Sequence, residues 1–228
     1  EIKEKNFNEA KKFYNQSIES SKKACEMWCN NAPLYSMRKA FKGLASIEEY
    51  QGNFEGAEVL YQKCLELGQL ITERDVSKNI MCNIFAEDCL SLGHIYYNKG
   101  QLDTAQEWIE KGIRHFEKVL EKSVRFEIEW NLSLLYEELG NLKKHCKEWN
   151  EAKEWYRKSE GCYERFWRKG LYARRTFEQM LSTYLNLSIV NFAADNLAET
   201  EKYQQKSFIA LQQWKEKNGL DQWNGELI

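Results

Sequence analysis

An internal repeat constrains this chain more than any other feature. Small residues at Ala10, Ala57, Ala105, Ala152 and Thr200 are separated by 47, 48, 47 and 48 residues. Three residues before each stands an apolar one: Phe7, Phe54, Leu102, Trp149 and Leu197. Two before that stands a turn candidate: Lys5, Gly52, Gly100, Lys147 and Asp195. Thirteen residues upstream of each later small residue comes a large apolar residue and then a small one, at Leu44-Ala45, Leu92-Gly93, Leu139-Gly140 and Leu187-Ser188. Self-similarity at such a period is the mark of stacked supersecondary units.

The spacing inside each unit is helical. Leu92 and Ile95 lie at i and i+3, while Ala105, Trp108 and Ile109 lie at i, i+3 and i+4. Each segment therefore has one apolar face. Two such segments joined at Gly100 make an antiparallel hairpin. Small residues at Gly93, Ala105 and Gly112 let its helices approach closely. A hairpin of this kind leaves apolar surface that only a neighbouring unit can cover. Composition agrees: one proline and 12 glycines in 228 residues leave little turn chemistry for a multi-stranded sheet.

The spacing predicts a first helix near 7–27, with Asn30, Asn31 and Pro33 marking its stop and a restart. Helix pairs follow near 34–50 and 54–70, 77–99 and 102–121, 123–147 and 149–168, and 171–194 and 197–217. Asn218-Gly219 reads as a terminal cap, with Trp223 folding back on the last helix.

These residues resemble the tetratricopeptide repeat (TPR) family. Leu92-Gly93, Tyr96, Gly100, Leu102, Ala105 and Ile109 carry the resemblance, and Leu44-Ala45, Gly52, Phe54, Ala57 and Tyr61 form the next best copy. The usual unit has about 34 residues, so this is a long-period variant. Glu48, Lys143 and Asn191 replace the aromatic found at Tyr96. The resemblance implies an all-α, right-handed superhelical solenoid of about nine helices. We expect one repeat domain over 1–228, with turns near 5, 52, 100, 147 and 195. The start at an intra-hairpin turn, without a methionine, suggests a fragment of a larger protein. The uncovered first helix then calls for a flanking domain or a second copy.

Chemistry is sparse. His94, His115 and His145 are scattered over different helices. Cys146 adjoins His145, but neighbouring helical residues point about 100° apart and form no nucleophile–base pair. Cys25 and Cys29, joined at most by Cys82 and Cys89, offer no established zinc spacing. The other cysteines read as core residues. The adjacent acids Glu48-Glu49, Glu87-Asp88 and Glu137-Glu138 read as solvated helix faces. No phosphate loop appears. We therefore expect no enzyme, no metal and no cofactor. Seven cysteines without a disulfide framework fit a reduced, cytoplasmic setting. No apolar run approaches the roughly 20 residues of a membrane span.

Function then rests on contact. In TPR-like hairpins the first helices line the concave side, which by resemblance places Lys39, Lys42, Glu87, His94, Asn98, Glu137, Asn141, Lys144 and Asn186 on a surface for a protein or peptide partner. Ser46, Ser91 and Ile189 share that register. Asparagine both donates to and accepts from an extended peptide backbone. The wider role implied by the resemblance is the partner-sensing array of a multidomain regulator. A second candidate is the basic, aromatic joint around Arg165, Arg168, Lys169, Arg174 and Arg175. It suits an acidic or phosphate-bearing ligand, or as an alternative function nucleic acid. The near balance of 33 Lys and Arg against 35 Asp and Glu does not favour nucleic acid.

Overall fold

The computed structural model describes residues 2–27, 30–74, 78–121, 126–171 and 173–218. Among these are nine α-helices and no strand: α1 (Ile2–Met27), α2 (Ala32–Tyr50), α3 (Phe54–Arg74), α4 (Lys78–Asn98), α5 (Leu102–Leu120), α6 (Phe126–His145), α7 (Trp149–Arg168), α8 (Ala173–Ala193) and α9 (Leu197–Asn218). The expectations placed on Cys29, Ser77, Ser123, Gly219 and Trp223 lie outside the described residues, as does the side chain of Cys82.

The chain reverses at one recurring backbone device. At Gly100 (φ 74°), the Gln101 N–H donates to the Tyr96 carbonyl at 2.8 Å and the Gly100 N–H to that of Tyr97 at 2.9 Å. This is the Schellman cap, which satisfies helix carbonyls that would otherwise lack partners. The same pair of bonds forms at Gly52, Lys147, Gly170 and Asp195, each with positive φ. Four of these five reversals separate the two helices of a hairpin, and Gly170 separates α7 from α8. Two hairpins restart with a proper N-cap, where Asn53 Oδ1 accepts from the Gly56 N–H and Asn196 Oδ1 from the Glu199 N–H. The turn expected near Lys5 is absent, because α1 runs unbroken from Ile2.

The helices fall into two compact units, Glu1–Asn131 and Leu132–Ile228, with α6 crossing the boundary. In the first, Ile18 of α1, Leu34, Met37, Ala40 and Leu44 of α2, and Leu67 and Ile71 of α3 form one buried cluster. A second joins Ala45, Ala57, Tyr61, Leu92 and Ile95 across α2, α3 and α4. Each cluster draws on more than one hairpin, so a hairpin alone would leave much of it wet. In the second unit Leu139, Leu142, Tyr156, Tyr163, Phe166, Leu187 and Val190 are buried. The Phe177 and Trp214 rings stack at 4.6 Å and tie α8 to α9. Burying one such side chain contributes roughly 1.5–3 kcal/mol.

The small residues of the repeat mark the closest crossings. A Cβ at Gly93 would lie 2.7 Å from Ile109 Cγ1, and one at Gly140 would lie 2.8 Å from the Tyr156 ring. Ala57, Ala105 and Ala152 have no exposed surface.

Candidate functional site

The candidate surface is built from first helices lying side by side. In the first unit, α2 meets α4 through three polar ties. Arg38 donates Nη2 to Asp88 Oδ1 at 2.5 Å and Nε to Oδ2 at 3.3 Å. Lys42 Nζ donates to Glu87 Oε2 at 3.0 Å, and Asn98 Nδ2 to Glu49 Oε1 at 3.4 Å. The contacts advance from Arg38 with Ile84 and Asp88 to Glu49 with Asn98, so α2 and α4 run parallel, as two successive hairpins require. Arg38 and Asp88 are both buried, and Arg38 also donates to the Ile84 carbonyl at 3.1 Å. Burial pushes the Asp88 carboxyl up to about 6, against the lowering by Arg38.

Toward the C-terminal end of this seam the side chains open to solvent. Tyr61 OH donates to Glu49 Oε2 at 3.2 Å and lies 3.4 Å from Ser46 Oγ. Ser46 and Asn98 are exposed. The long bond from Asn98 to Glu49 uses one N–H, so its second N–H and its carbonyl have capacity left for a ligand. Lys39 is exposed, while His94 is half-buried.

The second unit repeats the arrangement with more of its polar groups spent internally. Glu137 on α6 is buried, accepting from Ser182 Oγ of α8 at 2.9 Å and from Tyr163 OH of α7 at 3.2 Å. Burial pushes its carboxyl up to about 7. Lys144 Nζ donates to Asn186 Oδ1 at 2.7 Å, and burial lowers the Lys144 pKa. Asn141 Oδ1 accepts from the buried Tyr156 OH at 2.7 Å. Four residues expected on a binding surface thus also lock neighbouring helices together.

The reading of adjacent acids as solvated faces is corrected for two of them, since Asp88 and Glu137 are buried. Neighbours on a helix point in different directions. Glu87 and Glu138 keep some exposure while Asp88 and Glu137 turn into the seam between helices.

At the basic joint the aromatic rings belong to the core. Tyr163 and Phe166 are buried, and Trp167 packs on Phe177 and Trp214 at 6.1 and 6.3 Å. Arg165 Nη2 lies 3.3 Å from Cys162 Sγ, Arg168 Nε donates to the Glu164 carbonyl at 3.2 Å, and Arg174 pairs with Glu178 at 2.9 Å. Lys169 and Arg175 are exposed. Among the described residues of the joint the aromatic rings are taken up by core packing, which does not support the nucleic-acid alternative.

The other titratable groups do not converge. The described residues contain no group of three or more metal-ligating side chains. Cys64 and Cys89 are fully buried, and desolvation pushes both thiols up to about 12, which makes them inert core residues. His115 lies apart from the surface beside a cavity of about 130 Å³ lined mainly by Leu65, Ile84 and Phe85. Burial lowers its pKa.

Comparison with known proteins follows the geometry. A tetratricopeptide-repeat model matches residues 89–114, the end of α4 and the start of α5. No curated protein matches the sequence. Solved structures do. BtubC (BKLC) from P. vanneervenii superposes with a TM-score of 0.55 at 15% identity, covering 91% of this chain and 92% of that one. A putative kinesin light chain of Podosopora anserina, with nearly identical TPR-like repeats, gives 0.58 at 14% identity over 93% and 91%. MamA gives 0.53 at 14% identity over 93% and 97%. The fold is that of a tetratricopeptide-like helical array, and residues 89–114 carry the repeat's sequence pattern. At such identities the likeness concerns the fold alone.

Within this tetratricopeptide-like array, the sequence reading passed over Arg38 and took its partner Asp88 for a solvated acid. A signal for them exists. Arg38 falls where other repeats carry Ala86, Ser133 and Leu181, and Asp88 where they carry Ala40, Leu135 and Thr183. A lone charge at a small or apolar register position announces a buried partner.

Proposed function

We propose that this array is a protein- or peptide-binding scaffold that acts by contact and not by catalysis. The observation that carries the reading is the open end of the α2–α4 seam. There exposed Asn98 and Ser46 flank a Glu49 carboxylate already held by Tyr61. A rigid pair of parallel helices thus displays an amide at a fixed spacing, suited to the backbone of an extended segment. Lys39, Lys42, Glu87 and His94 border it, and Glu137, Asn141, Lys144 and Asn186 hold the corresponding register positions within the second unit. Unpaired buried thiols at Cys64 and Cys89 support a reducing, cytoplasmic setting. No helix among the described residues is long and apolar enough to cross a membrane. Exposed Phe13 on α1, in register with Leu60, Trp108, Trp155 and Tyr203, supports a flanking domain or second copy over that helix. In a larger regulator such an array reports the presence of its partner by occupancy.

Peptides selected from a display library against the full chain test this. Asn98→Ala is expected to weaken the selected peptide about five- to twentyfold, the loss of one or two hydrogen bonds. Unchanged affinity, with the variant's helical content intact, removes the seam as the site.

A further inference from the structure

The repeat register marks one place where a large side chain is missing. Eleven residues after the small repeat residue stand Ser21 on α1, Gly68 on α3, Phe116 on α5, Tyr163 on α7 and Leu211 on α9. The Phe116 and Tyr163 rings are buried, and the Tyr163 hydroxyl donates to the buried Glu137 carboxylate at 3.2 Å. Gly68 brings no ring. A Cβ there would lie 2.9 Å from Ile84 Cγ2, so Ile84 takes up the nearest part of the space, and 3.6 Å from Asp88 Oδ2. What remains is the cavity of about 130 Å³, walled by Leu65 and Gly68 of α3, Ile84, Phe85 and Asp88 of α4, and His115 of α5.

The polar groups on that wall decide what suits it. His115 Nε2 is shielded from solvent and, among the described residues, has no hydrogen-bond partner. The Phe85 ring packs 4.7 Å from the imidazole, and burial favours the neutral form of His115. Asp88 is already paired with Arg38. Gln69, the remaining polar neighbour, is exposed. Waters filling such a volume would each need roughly two to four polar partners, which Leu65, Ile84 and Phe85 do not offer. A cation would add a charge beside an acid that Arg38 already balances, and an anion would face the Asp88 carboxylate. One aromatic ring fits the size, since an apolar cavity of about 150 Å³ accepts benzene. A hydroxyl fits the imidazole, because it donates and accepts and so satisfies either neutral tautomer.

We propose that this cavity binds a small neutral phenol, its ring against Leu65, Ile84 and Phe85 and its hydroxyl on His115 Nε2. The ligand supplies the ring that Gly68 omits, as Tyr163 supplies one within the second unit. This site is independent of the peptide surface: Asp88 lies at the buried end of the α2–α4 seam, whereas Asn98 lies at the open one.

Titration of 4-fluorophenol into the full chain, followed by fluorine NMR, tests the site. Saturable binding at millimolar concentration is expected, with fluorobenzene, which lacks the hydroxyl, about tenfold weaker. Of the three histidine ring signals, that of His115 should shift while those of His94 and His145 stay. His115→Phe keeps a ring but removes the unpartnered nitrogen. Its thermal midpoint should equal or exceed the parent's, which shows the variant folded, and its preference for 4-fluorophenol over fluorobenzene should disappear. No saturable binding to the parent, equal binding of both probes, a shift confined to His94 or His145, or a preference retained by His115→Phe overturns the proposal. Tighter binding of N-acetyltyrosinamide than of 4-fluorophenol overturns it in favour of a partner protein's tyrosine side chain.

Discussion

Two residues carry backbone or ionic costs that single substitutions expose. Lys147 occupies a left-handed conformation (φ 61°) that Gly52 and Gly100 adopt without a Cβ penalty. Lys147→Gly should raise stability by up to about 1 kcal/mol, and Gly100→Ala should lower it by about 1–2 kcal/mol. Chemical denaturation of the two variants checks both signs. Glu137 has its carboxyl pushed up to about 7 from an ordinary 4.5 by burial. The folded chain therefore holds that proton more tightly than the unfolded one. The group's contribution is fully present below pH 4.5 and is lost as pH rises to about 7. Glu137→Gln should flatten the pH dependence of stability across that window, by as much as about 3 kcal/mol. An unchanged profile would show that Ser182 and Tyr163 compensate fully for burial.

At the scale of the element, pairs of side chains set how neighbouring helices lock. The Arg38–Asp88 pair joins α2 to α4 through a bidentate contact with little solvent around it. Removing one partner leaves the other charge buried. Arg38→Met should therefore cost about 3–5 kcal/mol, whereas Arg38→Met with Asp88→Leu should recover most of that loss. A double-mutant cycle measured by urea denaturation decides between coupling and simple additivity. The surface pairs Lys22–Glu19 and Lys202–Glu199 share the same chemistry, yet solvent screening leaves each of them weak. Burial, more than the number of ion pairs, selects the ties that matter.

For the molecule as a whole, the repeat makes stability local. Each core cluster of the first unit is shared between adjacent helices, so a defect should be felt first by its neighbours. Leu92→Ala removes a fully buried side chain of α4 and should cost about 2–5 kcal/mol. Amide hydrogen exchange should show the largest loss of protection in α3, α4 and α5. A uniform loss through α1 as well would mean that the first unit unfolds as one block.

The sequence alone carried the period, the hairpins and the core. Those features are written in spacing: Leu92, Ile95, Ala105 and Ile109 fall on faces that only an α-helix brings together, and no long-range information is needed to see it. Turn chemistry was legible where glycine stood, at Gly52 and Gly100, and register extended it to Lys147 and Asp195. The fate of individual polar residues lay beyond spacing. Whether Glu137 meets solvent or Ser182, and whether Asp88 meets water or Arg38, depends on a helix more than 40 residues away in sequence. Exposed Leu185, Ile189 and Phe192 on α8 were ambiguous for the same reason. Such residues read equally as core, and only the tertiary structure shows that, among the described residues, no further helix covers them. Local periodicity fixes which residues share a face, and the packing of distant elements decides what that face meets.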